Sequence, residues 1–174
     1  MKHIGCFSGG KDSTALMLWM CDELGTPGEQ WTPVFCDTGW EHPITYAYIE
    51  EINLTILAKT LVTLKPTIGT MRDLVQIKGR VPSAKARFCT ENLKTEPMKE
   101  WLTSINDDFT VYQGIRRDES YTRSLMCAVE FSDIYDCKVV RPLFHWSARE
   151  CFELAALHGV RPNPLYLMGA SRVG

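Results

Sequence analysis

The sequence predicts one α/β domain, built on a doubly wound and mainly parallel sheet with helices on both faces. Segments of strand character alternate with segments of helical periodicity, and parallel neighbouring strands require such crossover helices. The chain has 174 residues, a length typical of one domain, and it contains no repeat or linker-like stretch. We therefore assign residues 1–174 to a single domain.

In the first half, short apolar runs predict strands, and apolar residues at helical spacing predict helices. A proline near its N-terminus supports the second helix. The predicted strands are 3–7, 31–36 and 60–64, and the predicted helices are 12–24 and 43–57.

Residues 66–87 are predicted to form a loop-rich insertion around a short helix at 71–77. This is the one basic stretch of the chain, with Lys78, Arg80, Lys85 and Arg87. Farther on, we predict helices at 91–105 and 147–158 and strands at 109–113 and 138–140. Ser147 and Glu150 have the spacing of a capping box, which supports the start of the last helix.

Composition excludes several classes of protein. A hydrophobic content of 45% and a charged content of 23% are ordinary for a packed domain, and the net charge of −2 indicates no bulk basic surface. Seven cysteines are scattered without CxxC spacing, which favours a reducing compartment over a disulfide framework. No apolar run is long enough to span a bilayer. We therefore expect a soluble, cytoplasmic protein with no membrane partner.

The strongest local signal is the hexapeptide Ser8-Gly9-Gly10-Lys11-Asp12-Ser13, directly after the first predicted strand. Two glycines let the backbone approach an anion, and the N-terminus of the following helix presents unpaired N–H groups. Lys11 adds a mobile positive charge. A capped glycine turn is the simpler alternative, but the whole hexapeptide in a strand-to-helix turn favours nucleotide phosphate binding.

Together with several later segments, SGGKDS resembles the PP-loop of the ATP pyrophosphatase (adenine nucleotide alpha hydrolase-like) superfamily, and within it the phosphoadenosine phosphosulfate (PAPS) reductase family. The other segments that carry the resemblance lie at 36–43, at 87–90 with Lys94, at 114–120 with Arg123, at 141–143 with Trp146, at 163–166 and at 169–173. The resemblance implies a Rossmann-like fold with an adenine nucleotide, ATP or PAPS, across the carboxyl ends of the strands.

In that picture Ser8 to Ser13 hold the phosphates, and Asp37 and Thr38 lie beside the nucleotide. Asp12 or Asp37 helps to hold Mg²⁺ if ATP is the ligand. The alternative for residues 37–39 is a plain turn at the end of a strand. We expect Lys11→Ala and Asp12→Ala to abolish nucleotide binding and to leave the fold intact.

Gly114, Arg116 and Arg117 follow a later strand, and a guanidinium group there is a natural second clamp for phosphate. A surface salt-bridge cluster with the neighbouring acidic residues is the alternative. Arg87, Arg123 and Arg172 are weaker candidates of the same kind. We predict that Lys11, Asp12, Cys89 and Arg116 are the catalytic residues.

Cys89 is the candidate reactive thiol, because Arg87 and a nearby helix start would favour its thiolate. A buried structural thiol is the alternative. For Cys6, Cys21, Cys36 and Cys151 core packing is the better account.

Sulfonucleotide reductases carry a redox cysteine in an ECGLH-type segment, which this sequence lacks. Many relatives also continue the RVG stretch into a cysteine pair, whereas this sequence stops at Gly174. We therefore keep as an alternative that the domain lacks a C-terminal extension. An iron–sulfur cluster is not supported by these cysteines alone.

Three functions therefore remain. The first is cleavage of ATP to AMP and pyrophosphate, which activates an acceptor in sulfur transfer or nucleic-acid modification. The second is PAPS reduction with a separate redox partner, and the third is a nucleotide-binding module without turnover. We also consider three kinds of partner: a protein that supplies a redox centre or a sulfur donor, a nucleic-acid acceptor bound at the basic insertion, and further copies of this chain in an oligomer.

Overall fold

The computed structural model describes residues 1–83 and 86–173. In this part of the chain the strands are β1 (Lys2–Phe7), β2 (Trp31–Cys36), β3 (Val62–Leu64), β4 (Phe109–Tyr112), β5 (Val129–Ser132) and β6 (Cys137–Val140). They form one sheet in the order β3-β2-β1-β4-β6-β5. All neighbours pair in parallel except β5, which is an antiparallel edge strand beside β6.

The helices alternate with the strands, as a parallel sheet requires. They are α1 (Lys11–Leu24), α2 (Pro43–Thr55), α3 (Met71–Lys78), α4 (Phe88–Thr90), α5 (Glu96–Thr103), α6 (Tyr121–Ser124) and α7 (Ala148–Leu157). A π-helical turn, Glu91–Thr95, joins α4 to α5, and 3-10 turns lie at Arg117–Glu119 and Pro164–Tyr166. No helix within the described ranges is both long and apolar enough to cross a bilayer.

Both faces of the sheet are covered by apolar side chains. On one face α1, α2 and α7 pack on Phe7, Phe35 and Tyr112, and Leu16 and Met17 of α1 are fully buried there. On the other face Met98 and Leu102 of α5 pack on Ile4, Val34, Val111 and Val139. Successive residues of a strand point to opposite faces, so each central strand contributes to both clusters.

Local sequence explains where several helices begin and end. Thr70 and Asp73 form a capping box at the start of α3, and Gly79 ends it in the left-handed conformation with φ +63°. Ser147 and Glu150 form the predicted capping box of α7. Each cap satisfies N–H groups that the first turn of a helix leaves without partners.

The predicted doubly wound sheet with helices on both faces is confirmed. The prediction omitted β5 and α6, and the single helix predicted at 91–105 begins earlier and contains the π-helical turn. Pro97 lies at the start of α5, and because it has no N–H the regular ladder of helix hydrogen bonds cannot continue through it. Lys78, Arg80 and Arg87 of the basic insertion are exposed, and Lys85 lies outside the described residues.

The strand order also identifies the edge where a ligand belongs. From β1 the chain moves outward through β2 to β3, and β4 then pairs on the opposite side of β1. The carboxyl ends of β1 and β4 therefore flank a topological switch point, where open α/β sheets bind their ligands.

Candidate functional site

The loop of residues 8–13 connects β1 to α1 at this switch point, and its two glycines are required for different reasons. Gly9 has φ +74°, a conformation that L side chains rarely adopt, and a Cβ there would lie 2.9 Å from Ile49 Cγ1. Gly10 has an ordinary φ of −89°, but its Cβ would lie 2.3 Å from the carbonyl oxygen of Val173. Steric exclusion therefore selects glycine at position 10.

The two serines of the loop hold it in shape. Ser13 Oγ donates to the carbonyl oxygen of Gly10 and accepts from the N–H and the hydroxyl of Ser8, each at 3.1 Å. This closes the loop across the first turn of α1. The N–H groups of Asp12 and Ser13 find no acceptor in the described part of the chain, so they are left for a bound anion.

A small cavity, here called the loop cavity, lies against this loop and measures about 70 Å³. Besides the loop it is lined by Gly114, Glu119, Arg123, Arg172 and Val173. Lysine and arginine side chains outnumber the carboxylates in its wall. The site combines helix N–H groups with positive side chains, which is the chemistry of phosphate recognition.

Two larger spaces continue from the loop cavity. The inner cavity, of about 250 Å³, has Cys6, Cys36, Lys94 and Tyr135 in its wall and shares Ser8, Ser13, Gly114 and Arg123 with the loop cavity. The outer groove, of about 630 Å³, includes Arg87, Thr90, Lys99, Met126 and Ile134. Arg123 lines all three spaces, so it lies where they meet.

Gly114 is positioned by the end of β4 and allows the strand to approach the loop. A Cβ at Gly114 would lie 2.7 Å from the backbone carbonyl oxygen of Asp12. Any other residue would push the end of β4 away from α1. The structure thus brings Gly114 together with residues 8–13, as the sequence predicts.

Arg116 lies in a cluster of ion pairs, and its role as a phosphate clamp stays a prediction. It is 3% exposed, and its Nε donates to Asp12 Oδ1 at 2.6 Å, while its Nη1 pairs with Asp118. Lys11 Nζ lies 3.6 Å from the other oxygen of Asp12. The Arg116 guanidinium and the Asp12 carboxylate therefore neutralise each other beneath the loop. Neither side chain offers an unpaired charge to the loop cavity. Arg117 is exposed and lies outside the lining of all three spaces.

Glu119 is a site residue that the sequence did not single out. It accepts from the N–H of Arg116 at 3.1 Å, pairs with Arg123, and lies 3.6 Å from Arg172. Burial raises the pKa of Glu119, but the Arg116 N–H and the Arg123 guanidinium outweigh it and hold that pKa below its ordinary value. Glu119 is therefore ionised at neutral pH and holds both arginines at the loop cavity.

Asp37 and Thr38 close the end of β2 and are not in the walls of the loop cavity or the inner cavity. Asp37 Oδ1 accepts from the N–H of Gly39 at 2.9 Å and from the hydroxyl of Tyr46 at 2.6 Å. Thr38 is 4% exposed, and its hydroxyl donates to Glu41. These contacts are those of a plain turn at the end of a strand. A role of Asp37 and Thr38 beside the nucleotide stays a prediction.

Cysteines line the inner cavity in place of Cys89. Burial, with Cys36 and Cys137 nearby, raises the pKa of Cys6 to about 12, and burial raises that of Cys36 to about 11. Both thiols are therefore protonated at neutral pH, although they lie at the cavity wall as well as against the core. Cys89 is half-buried in α4 and is not in the wall of any of the three spaces, whereas its neighbour Thr90 lines both the inner cavity and the outer groove.

The described residues do not form a protein cage for Mg²⁺ or a cysteine cluster. No group of three or more His, Cys, Asp or Glu side chains converges in the described part of the chain. Asp12 is occupied by two cations, and one oxygen of Asp37 accepts two hydrogen bonds. Of the two aspartates, only the second oxygen of Asp37 is left as a ligand for Mg²⁺. A site with so few protein ligands would require substrate phosphates and water to complete the coordination of the ion.

The segment at 163–173 supplies two further site residues, Asn163 and Tyr166, to which the sequence analysis assigned no role. Asn163 is 1% exposed, and its Nδ2 donates to the carbonyl oxygen of Gly9 at 3.1 Å. The Tyr166 hydroxyl accepts from the N–H of Lys11 at 3.0 Å. No local pattern predicts these contacts, because they join residues more than 150 positions apart.

Residues 2–174 match the phosphoadenosine phosphosulfate reductase domain family. The chain is similar to an uncharacterized 37.8 kDa protein of Escherichia phage 186, with 31% identity over 99% of this chain and 65% of that protein. It is 26% identical to an adenosine 5'-phosphosulfate reductase of Geobacillus sp. (strain WCH70), over 81% of this chain and 59% of that enzyme. The chain thus spans less than two thirds of the length of these relatives.

Solved structures support the fold. The phosphoadenylyl-sulfate reductase of Candida auris, a phosphate complex, superposes with a TM-score of 0.75 at 17% identity, over 99% of this chain and 80% of that one. The FMN adenylyltransferase of Candida glabrata, with FAD and inorganic pyrophosphate, gives a TM-score of 0.67 at 17% identity, over 99% and 53%. The Rossmann-like, adenine nucleotide alpha hydrolase-like fold is confirmed, and so is the resemblance drawn from the motifs. The chain belongs to the phosphoadenosine phosphosulfate reductase domain family.

Proposed function

We propose that the protein binds ATP and cleaves it between the α- and β-phosphates, transferring AMP to an acceptor and releasing pyrophosphate. The observation that carries this proposal is the loop cavity, where the N-terminus of α1, Lys11, Arg123 and Arg172 meet beside a larger cavity. The polyphosphate would lie on the loop, and the adenosine in the inner cavity. The inner cavity has both apolar and polar walls, as nucleoside sites do.

The transfer itself requires little covalent chemistry from the protein. The acceptor oxygen forms a bond to the α-phosphorus as the bond to the bridging oxygen of pyrophosphate breaks, and the acceptor proton passes to solvent. Lys11, Arg123 and the loop N–H groups would stabilise the charge that develops on the phosphate oxygens. Asp12 and Arg116 would act through the loop, because their charges are already paired with each other.

The thiols in the wall of the inner cavity favour this reaction over sulfonucleotide reduction by those cysteines. Reduction requires a thiolate to attack sulfur, and the cysteines in the wall of the inner cavity, Cys6 and Cys36, both have a raised pKa. Reduction with a partner's thiol is the second candidate. It is supported by the family and by the similarity to adenosine 5'-phosphosulfate reductases.

The outer groove is where we place the acceptor. It adjoins the inner cavity through Thr90, Thr95, Ile115 and Arg123, and its volume of about 630 Å³ is that of an ordinary ligand pocket. An acceptor entering from this side would meet the α-phosphate beside Arg123. Hydroxyl, basic, acidic and apolar side chains all occur in the groove, Glu91 and Glu96 among them, so its walls suit an organic acceptor that carries polar groups.

The test is calorimetric titration with ATP, PAPS and AMP, followed by assays for AMP and pyrophosphate with water as the acceptor. Lys11→Met should weaken ATP binding at least tenfold, whereas Lys59→Met, at an exposed lysine in the turn before β3, should not change it. Equal ATP affinity in both variants would refute the assignment of the site. Sulfite release from PAPS with a thiol donor would favour the second candidate, and ATP binding without AMP formation would indicate a binding module.

A further inference from the structure

The segment of residues 163–173, here called the strap, crosses the loop that we assign to phosphate. At one end Asn163 donates to the carbonyl oxygen of Gly9, and in the middle Tyr166 accepts from the N–H of Lys11. At the other end the carbonyl oxygen of Val173 lies so close to Gly10 that it excludes any side chain there. The strap therefore touches three consecutive residues of the loop.

The Tyr166 hydroxyl occupies a position that suits a phosphate oxygen. Its oxygen lies 3.0 Å from the N–H of Lys11, which is the first N–H of α1, and the Lys11 ammonium lies 5.3 Å from the centre of the Tyr166 ring. Burial raises the pKa of Tyr166, and the N–H groups of Lys11 and Val173 act on the same oxygen in the opposite direction. Donors that would serve an anion are therefore directed at a neutral hydroxyl.

The loop cavity is small, and Arg172 and Val173 of the strap form part of its wall. Its volume is about 70 Å³, and it continues into the inner cavity past Ser8, Ser13, Gly114 and Arg123. The Val173 carbonyl oxygen lies against Gly10 of the loop. A polyphosphate cannot take the N–H of Lys11 while the Tyr166 hydroxyl accepts from it.

The strap is held by few buried side chains. Leu167 is 83% exposed, Met168 is 69% exposed, and Arg172 is 60% exposed at its side chain, where it lies 3.6 Å from Glu119. Its regular structure within the described residues is a single 3-10 turn, Pro164–Tyr166. Segments with so little apolar burial open at a small cost in free energy.

We propose that the strap is an autoinhibitory contact, in which Tyr166 occupies the first N–H of α1 and binding of a polyphosphate displaces it. The inference rests on the proposed function, because it requires phosphate to bind at residues 8–13. The chemical signal that releases the strap is a di- or triphosphate group. Release would expose the N–H of Lys11 to the bound anion.

Hydrogen–deuterium exchange with inorganic pyrophosphate as the probe tests this directly. Pyrophosphate should accelerate exchange of the amides at 165–170 and protect those at 9–13. Tyr166→Phe should show the faster exchange at 165–170 without any anion, and it should bind pyrophosphate about fivefold more tightly, as expected for one competing hydrogen bond. Tyr121→Phe, at a tyrosine that is 80% exposed, is the matched control and should change neither measurement.

The opposite results separate the two hypotheses. If pyrophosphate binds and slows exchange at 165–170, the strap is a lid that closes on the anion and the inference fails. It also fails if Tyr166→Phe weakens pyrophosphate binding, because the hydroxyl would then be a ligand of the anion. If neither wild type nor Tyr166→Phe binds pyrophosphate, the proposed function fails at the loop itself.

Discussion

Replacing Asp12 with alanine removes the carboxylate that neutralises a buried arginine. Arg116 is 3% exposed and Asp12 is 8% exposed, and the Nε–Oδ1 distance is 2.6 Å. The sequence led us to expect that Asp12→Ala would leave the fold intact. The structure changes that expectation, because the substitution leaves the guanidinium of Arg116 in a dry environment with one partner fewer.

The magnitude follows from that partner's loss. Breaking a buried ion pair from one side costs about 3–5 kcal/mol. Asp118 remains paired with Arg116 but is half exposed, so we expect the lower end, about 3 kcal/mol. For a domain of this size that corresponds to a fall in Tm of roughly 6–12 °C.

Urea unfolding followed by circular dichroism at pH 7 measures the change, and Asp118→Asn is the matched control. That variant removes the exposed partner of the same arginine and should cost less than about 1 kcal/mol. A loss below about 1 kcal/mol for Asp12→Ala, equal to that of Asp118→Asn, would contradict the buried-pair account. Asp12→Ala would then be usable as a binding variant, as the sequence alone suggested.

Two further predictions concern the ionisation of residues around the cavities. Because the pKa of Glu119 is lowered by folding, its carboxylate stabilises the folded state at pH values above the ordinary pKa of about 4.5. This stabilisation is lost as the pH falls through the folded-state pKa. Glu119→Gln should therefore be less stable than wild type at pH 7, and the difference should shrink in acid. Urea unfolding at pH 7, 5 and 3 checks this, and a constant difference would contradict it. Labelling with iodoacetamide at pH 7.5, followed by mass spectrometry, should modify exposed Cys127 roughly 100-fold or more faster than Cys6 and Cys36, because their raised pKa suppresses the thiolate. Equal rates would show that these thiols are reactive after all.

The central architecture was predictable because its signals are local. The apolar runs that became β1, β2 and β4 alternate with helices whose periodicity is visible in the sequence, and the loop between β1 and α1 has an unmistakable composition. By contrast, β5 was missed. It has only four residues, two of them exposed, and it is stabilised by antiparallel pairing with β6 rather than by its own pattern.

Part of the site was predictable for the same reason. Residues 8–13 and Gly114 come together as expected, because each follows a strand and parallel strands end at one edge of the sheet. The role of Arg116 was harder to predict. A sequence shows that an arginine follows a strand, but only its neighbours in space decide whether the guanidinium is free to bind phosphate or is already paired.

The sequence by itself determined the fold class, the family and the position of the loop at residues 8–13, because the glycine pair, the helix periodicity and the alternation of strands with helices are visible in neighbouring residues. Only the tertiary structure decided which charges remain available at the site. It pairs Asp12 with Arg116 beneath the loop, holds Arg123 against Glu119 where the loop cavity, the inner cavity and the outer groove meet, and brings the Tyr166 hydroxyl to the N–H of Lys11. These contacts join residues far apart in the chain, and the balance of burial and charge that they create exists only after folding.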